Sequence, residues 1–560
     1  MRISPRLAWF LGFSAAFSAL VGYVFWGTWS PDVAPVMPDS WTTYAPTYLS
    51  EHLSGIFATG RLIPDDLKVF LGGPWVWQEL QYAFALYFAA LGAVYYCRGR
   101  GLSRAASYGA GLLLAFSGYW LTLYSAGHLG WFRWMTYGVF AFGLADRAVR
   151  LNHARHWVLL GAVVSWAGFN QQDLWLLFSI FTAVYFVWCC LRERRIPVAG
   201  ALLSLAVFVA IGIPNFASSL GETLEGRKKQ IERGENVTSS GASDADKRWE
   251  FVTNWSMPPD ETVEFLVPRV NGDTSCPFVL SINRGRGVRP YVGALGRPMR
   301  AKEGNYRQHS LYVGWATLLL AALGVASAFA RRRPQEGESR ARGSDAAFFA
   351  VAAVVFYMLS LGRYFEPAYR IVFSLPFGDL IRCPVKWHHL TELSLAFLAA
   401  YGIDAVLRFA SAAGLGRNAA LGAVAAVVLM GACGLAANAR LYCAPFSVRE
   451  ARRAGLKADM AILRRADFSN PQVAAMVRAG RIVSLASYMG DPDTFLVEVL
   501  GPFGKPAERP PRGILMILAG ILSMTSLLWV PCLCAFSGAV DSAIPGLGSP
   551  GAKLTRQERQ

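Results

Sequence analysis

Long apolar stretches recur along most of this 560-residue chain. The hydrocarbon core of a membrane is about 30 Å thick, so a helix that crosses it needs roughly 20 apolar residues. The clear candidates are residues 7–27, 76–96, 105–124, 196–213, 311–330, 346–361, 393–407, 419–437 and 513–536. Residues 135–145 form a shorter apolar stretch, which is long enough to cross the membrane only if residues 131–134 are included. This pattern predicts an all-α integral membrane protein.

The stretch at residues 157–190 is long enough for two crossings. Arg155 precedes it and Arg192 follows it. Because basic residues favour the cytoplasmic side, both ends are predicted to lie in the cytoplasm. The chain must then turn at residues 170–173, which are Asn-Gln-Gln-Asp. Either these polar residues line a cavity at membrane depth, or they form a tight turn outside the membrane.

The full pattern predicts about 12 transmembrane helices, with both termini in the cytoplasm and the first helix retained. The predicted division is a transmembrane domain at 1–437 with external loops at 28–75, 220–310 and 363–390, an external segment at 438–512, and a last transmembrane helix with a cytoplasmic tail at 513–560. Connections longer than about 12–15 residues are usually functional or disordered. Residues 225–247 are charged and rich in small residues, and this composition predicts disorder.

Composition and charge narrow the class further. Hydrophobic residues make up 54% of the chain and charged residues 16%, and the mean hydropathy is +0.33; such a chain is too apolar for a soluble enzyme. The net charge is +17 at pH 7. Cytoplasmic loops account for much of this charge, but residues 269–307 add cations in an external loop. These cations predict either a lipid phosphate ligand or contact with anionic headgroups of membrane lipids, and nucleic acid is not an expected partner on this side.

Seven short motifs, each weak alone, occur in an order that resembles one family. They are F-S-G-Y at 116–119, G-H-L-G at 127–130, L-A-D-R at 144–147, W-S-M-P-P-D-E at 255–261, Y-V-G at 312–314, P-F-G-D-L-I-R-C-P-V-K at 376–386 and L-A-A-Y-G-I-D at 398–404. Together they resemble the YfhO-type bacterial polytopic membrane proteins over roughly residues 1–404. That family is similar to the GT-C glycosyltransferases. The resemblance implies a sugar donor linked to polyprenyl phosphate and a catalytic acid in the first external loop.

Asp39 is the best match to that catalytic acid, and Asp32 is the substitute. An inverting transfer needs a base that takes the proton of the acceptor hydroxyl. Near Trp29, Trp41 and the membrane surface, partial desolvation would raise a carboxylate pKa and strengthen the base. The alternative is that Asp39 only caps a helix or forms a turn.

Basic side chains suited to a leaving phosphate occur close together in the second half of the chain. Arg382 and Lys386 lie four residues apart, Arg370 precedes them, and His388 and His389 follow. Arginine offers a forked set of donors to phosphate oxygens, and lysine offers a point charge. Ordinary anchoring of basic residues at the interface is the alternative. Further predicted substrate contacts are His128, Gln172, Asp173, His309 and Tyr312.

The resemblance, together with these residues, implies an inverting membrane glycosyltransferase on the external face of the bacterial inner membrane. Its acceptor would be an envelope glycan or glycolipid. Some GT-C enzymes place a divalent cation between acids and pyrophosphate, but Asp32 and Asp39 are not an adjacent pair, so we predict no required cofactor or metal. The alternatives are a transporter or lipid flippase, for which broken helices and intramembrane polar residues are typical, and an inactive scaffold for envelope assembly.

Overall fold

The protein is described by a computed structural model. It describes residues 4–25, 74–123, 129–167, 172–232, 243–271, 310–329, 338–375, 378, 381–443, 458–464, 471, 482–487 and 494–500. Within the first 443 residues, these segments are helices and their connections.

Fourteen α-helices are found in the described segments. They are α1 (Pro5–Val24), α2 (Pro74–Gly99), α3 (Arg104–Ala115), α4 (Gly118–Thr122), α5 (Leu129–Leu151), α6 (Ala154–Ala167), α7 (Gln172–Glu193), α8 (Val198–Glu232), α9 (Asp244–Thr253), α10 (Trp315–Phe329), α11 (Glu338–Ser360), α12 (Glu366–Ser374), α13 (His388–Ala412) and α14 (Arg417–Cys443). Short 3₁₀ helices span Pro259–Phe265, Gly362–Phe365 and Pro384–Trp387.

Five helices in the described part of the chain are long and apolar enough to cross a membrane. They are Pro5–Val24, Leu174–Glu193, Gly343–Ser360, Pro384–Ala412 and Arg417–Arg440. Val198–Gly212 and Trp315–Phe329 are shorter apolar helices. At this level the structure agrees with the predicted helical membrane protein. The stretch predicted to cross twice forms two helices, α6 and α7.

The predicted disorder at residues 225–247 is wrong at both ends of that stretch. Helix α8 continues to Glu232, and α9 begins at Asp244. Lys229 pairs with Glu225 at 2.7 Å, one helical turn away. Such pairs stabilise an exposed helix, and the charged composition alone did not reveal their spacing.

The predicted span at residues 105–124 is broken after Ala115. Helix α4 restarts at Gly118, whose N–H donates a hydrogen bond to the Tyr312 carbonyl oxygen at 2.9 Å. A Cβ at Gly118 would lie 2.6 Å from that oxygen. Only glycine therefore allows this close backbone approach.

Helix α13 lies in the core of the bundle and is buried along most of its length. It crosses α10 at two glycines. A Cβ on Gly402 would lie 1.9 Å from the Leu320 carbonyl oxygen, and one on Gly324 would lie 2.2 Å from the Leu398 carbonyl oxygen. Small residues let membrane helices approach closely and gain packing contacts, so this crossing leaves α10 and α13 little freedom to shift.

Four buried charges join the ends of several helices, and we name this set the ion network: Arg100, Asp146, Arg192 and Asp345. Arg100 lies 3.2 Å from Asp146 and 2.6 Å from Asp345. Arg192 lies 2.6 Å from Asp146 and also pairs with Asp345. The four side chains are at most 6% exposed. The network brings together the C-terminal ends of α2, α5 and α7 and the first half of α11.

Hydroxyl and indole groups complete this network. The Tyr401 hydroxyl on α13 donates to Asp345 at 3.3 Å, and the Trp188 indole N–H donates to it at 3.2 Å. The Tyr96 and Tyr401 hydroxyls are 3.1 Å apart. Arg192, which the sequence analysis predicted to lie on the cytoplasmic side, belongs to this network.

Three strands follow the helical part, and the sequence analysis did not predict them. β1 (Ala458–Arg464), β2 (Ile482–Ser487) and β3 (Thr494–Leu500) form an antiparallel sheet in the order β1-β3-β2. Ala458 pairs with Leu500, and Leu485 with Val497. Strands of six or seven residues are far shorter than a membrane span, so a search for long apolar stretches passed over them.

Replacing Asp345 by Asn should destabilise the folded protein, because it leaves two buried arginines sharing one carboxylate. We expect the free energy of unfolding in detergent micelles to fall by about 3 kcal/mol, as for other broken buried ion pairs. Glu366→Gln is the matched control: it removes an exposed pair with Arg370, which should cost about 0–1 kcal/mol. Equal losses in the two variants would contradict a structural role for the ion network.

Candidate functional site

Segments that carry four of the sequence motifs meet at one place in the fold. We call this place the junction: residues 117–119, 252–265, 310–314, 360–375, 378 and 381–388. Gly118 binds Tyr312 through the backbone, as described above. The N–H groups of Val313 and Gly314 both donate to the Phe265 carbonyl oxygen at 3.2 Å. Residues that are distant in the sequence are thus joined by backbone hydrogen bonds.

The same pattern joins α9 and the turn after it to the segment before α13. The Met257 N–H donates to the Ser360 carbonyl oxygen at 3.0 Å. The Cys383 N–H donates to the Val252 carbonyl oxygen at 3.1 Å, and the Val385 N–H to that of Trp255 at 3.3 Å. Backbone groups removed from water need such partners, so these bonds hold the irregular segment in place.

Gly362 is required at a tight point of the junction. Its φ is +51°, and a Cβ there would lie 2.1 Å from Ser256 Oγ. The Ser256 hydroxyl oxygen accepts a hydrogen bond from the Arg363 N–H at 3.0 Å. A side chain at position 362 would therefore disrupt the contact between the two segments.

Arg363 connects the end of α9 to the segment that follows α11. The sequence analysis did not select this residue. Its Nε donates to the Thr253 carbonyl oxygen and its Nη2 to that of Glu250, both at 3.2 Å. These carbonyls end α9, where a cation is favourable. Burial lowers the pKa of Arg363 from its ordinary value, although Tyr364 and Glu250 oppose the shift. Arg363 is a structural residue here.

A buried carboxylate, Glu392, lies one turn into α13, and the sequence analysis did not select it either. It is 1% exposed. Its Oε1 accepts hydrogen bonds from the Ser117 hydroxyl and from the Tyr119 N–H, the latter at 3.1 Å. His388 Nε2 lies 3.8 Å from the same oxygen. The Oε2 atom is buried and has no hydrogen-bond partner among the described residues.

Aromatic rings enclose the two predicted histidines, and both are fully buried. The His388 ring centroid is 4.5 Å from that of Phe265. The His389 centroid is 4.1 Å from that of Tyr119 and 4.4 Å from that of Trp120. Both histidines therefore lie inside the protein, beside Glu392 or between rings.

The three predicted cations have different surroundings. Arg370 is exposed, pairs with Glu366 at 2.6 Å and lies 4.0 Å above the Trp249 ring. Lys386 is 7% exposed, so this residue is largely buried in the junction.

Arg382 is half-buried and lies 4.4 Å above the Phe251 ring. Its Nε is buried without a hydrogen-bond partner in the described part of the chain. No carboxylate among the described residues pairs with it. Of the three predicted cations, Arg382 has the surroundings that best suit an anionic ligand.

Several predicted site residues cannot be placed in this geometry. Asp32, Asp39, His128 and His309 lie outside the described residues. Gln172 and Asp173 begin α7, but their side chains are outside the description.

Tyr312 lies in the junction and is buried, and its backbone carbonyl accepts the bond from Gly118. This contact supports a packing role for Tyr312. No group of three or more metal-ligating side chains occurs in the described segments; the absence of a required metal stays a prediction.

A signal for Glu392 was present in the sequence. It is a lone acid directly before the apolar stretch at residues 393–407, and ionisable residues within membrane segments are usually functional or paired. The predicted loop ended at residue 390 and the predicted span began at residue 393, so Glu392 was assigned to neither.

No family model, curated protein or solved structure matches this chain. The resemblance to YfhO-type proteins therefore rests on the sequence motifs. The contacts at the junction show that four of these motifs belong to one structural unit, which their positions in the sequence did not require.

Proposed function

We propose that the protein is a membrane glycosyltransferase of the GT-C type. It would move a sugar from a polyprenyl-phosphate donor to an envelope glycan or glycolipid on the external face of the bacterial inner membrane. The observation that carries this proposal is Arg382, a half-buried guanidinium with no carboxylate partner among the described residues.

A cation left without a counterion in a half-buried site is suited to bind an anion. Arginine can donate two parallel hydrogen bonds to a phosphate, and a departing polyprenyl phosphate gains negative charge as the sugar bond breaks. The Arg382 guanidinium carbon lies 4.4 Å above the Phe251 ring, and Nε has no hydrogen-bond partner among the described residues. Arg370 is a weaker candidate because Glu366 already neutralises it.

Asp39 is the proposed base, with Asp32 as the substitute. It would take the proton of the acceptor hydroxyl while Arg382 stabilises the leaving phosphate. The proposal includes 12 spans, cytoplasmic termini and no required metal. In this topology the junction lies at the external end of the bundle and the ion network at the cytoplasmic end.

A transporter or lipid flippase is the second candidate, and one observation favours it. Glu392 is a buried carboxylate within a helix that can cross the membrane, and such carboxylates often take part in proton-coupled transport. An inactive scaffold for envelope assembly would need neither Asp39 nor Arg382 for chemistry.

Arg382→Ala should reduce transfer from a polyprenyl-phosphate sugar by about 10- to 100-fold in kcat/KM, the range expected for the loss of a charged hydrogen bond. Arg382→Lys should lose less, because it keeps the charge but not the fork. The exposed Arg417 provides a matched control, since Arg417→Ala should retain activity. Wild-type kinetics in Arg382→Ala would show that Arg382 does not bind the donor and only anchors its segment at the membrane interface.

The proposed topology can be tested by labelling single cysteines with a reagent that does not cross membranes. Cysteines placed at Ala368 and Ala458 should be labelled from the external side, and a cysteine at Ser339 should react only after the membrane is opened. This pattern follows from the distribution of basic residues. External labelling at Ser339 in intact cells would overturn the topology.

Asp39→Asn tests whether the protein is an enzyme. The amide keeps the size of the side chain but cannot accept the proton, so transfer should fall by about 10²–10⁴-fold with little change in protein level or donor binding. Product formation from a radiolabelled lipid-linked sugar measures this. Asp32→Asn serves as the parallel variant. Full turnover in both variants and in the double variant would exclude the first external loop from the chemistry, and transporter and scaffold would then remain.

A further inference from the structure

Glu392 differs from the aspartates buried in the same bundle. Asp146 and Asp345 each pair with two arginines of the ion network. Asp404, on the same helix as Glu392, pairs with Arg408. Glu392 pairs with no arginine or lysine among the described residues, and its nearest basic group is the imidazole of His388.

The two carboxyl oxygens of Glu392 have unlike surroundings. Ser117 and the Tyr119 N–H both donate to Oε1, which suits a carbonyl oxygen. Oε2 is buried and accepts no hydrogen bond from the described residues. An ionised carboxylate would spread its charge over both oxygens, and half of that charge would then lie without a donor.

The groups that face Glu392 come from three segments. His388 belongs to its own helix, the Ser117 hydroxyl and Tyr119 precede or begin α4, and Phe265 covers His388 from the 3₁₀ helix. His389 faces the rings of Tyr119 and Trp120. The titratable groups in these contacts are thus the two imidazoles and one phenol.

We propose that Glu392 is a proton-binding site inside the bundle, with the proton on Oε2 and a neutral His388 beside Oε1. An ionised carboxylate is costly in such surroundings unless a cation pairs with it. A neutral carboxyl group avoids that cost, and a proton needs no cavity to bind.

His388 lies beside the other oxygen of Glu392. Its Nε2 is 3.8 Å from Oε1, which is too far for a hydrogen bond. The ring is fully buried against Phe265 and Tyr119, where a neutral imidazole costs less than a charged one. The site does not depend on the proposed sugar transfer, because it requires no substrate group.

Infrared difference spectroscopy on the full-length protein in detergent tests this site. At neutral pH, subtraction of the Glu392→Gln spectrum from that of the wild type should reveal one lost band in the C=O stretching region of carboxylic acids. Isotope-labelled glutamate should shift this band. Glu366→Gln, which alters an exposed glutamate, should keep it. Loss of carboxylate bands in Glu392→Gln, with the acid region unchanged, would show an ionised Glu392 and overturn the proposal.

Ser117→Ala provides a second test on the native carboxyl group, and it applies even where Glu392→Gln does not fold. Ser117 donates to Oε1, so its removal should move the C=O band to higher frequency because the carbonyl oxygen loses a donor. If Glu392 is ionised and has only a structural role, it gives no carboxylic-acid C=O band that Ser117→Ala could shift. An acid band that is unaffected by Ser117→Ala would assign it to another residue and overturn the proposal.

Discussion

The ion network is the constraint on which the arrangement of the helices depends. Removing an ion from water costs several kcal/mol even after relaxation, so each buried charge must keep its partner. Arg100 and Arg192 each contact both Asp146 and Asp345. A shift of any one of these helices would separate two ion pairs at once. The network therefore holds the ends of α2, α5, α7 and α11 in one relative position.

Helix α13 connects the ion network to the junction. Tyr401 ties it to Asp345, and its crossing with α10 at Gly324 and Gly402 leaves no room for a Cβ. Glu392 lies nine residues before Tyr401, which is roughly 13 Å along a helix. A rigid, buried helix thus sets the depth of Glu392, as a precise site requires.

Buried charged groups have different partners at the two ends of the bundle. At the ion network, arginines and aspartates neutralise one another. Among the described residues, Arg382 in the junction has no carboxylate partner, and Glu392 beside the junction has no basic partner other than His388. Buried or half-buried groups without partners are costly unless a proton, ligand or water satisfies them. Both groups lie in or beside the junction, where four of the sequence motifs meet.

Much of the helical architecture could be predicted from the sequence because it depends on local properties. A segment in lipid must satisfy its own backbone hydrogen bonds, so a long apolar stretch such as Arg417–Arg440 predicts a helix by itself.

The candidate site could be predicted only in part. Sequence spacing directed attention to Arg382 and the two histidines, because basic side chains close together suit a phosphate. It did not show that Arg370 is paired and that Arg382 has no carboxylate partner among the described residues. Glu366 pairs with Arg370 because it lies one helical turn away, whereas the surroundings of Arg382 depend on the fold. Glu392 was missed because its partners, Ser117 and Tyr119, lie more than 270 residues away. Apolar length and local charge determined the helices and their ends, but only tertiary packing decided which charges were neutralised, because that depends on contacts between segments that carry no local periodic signal.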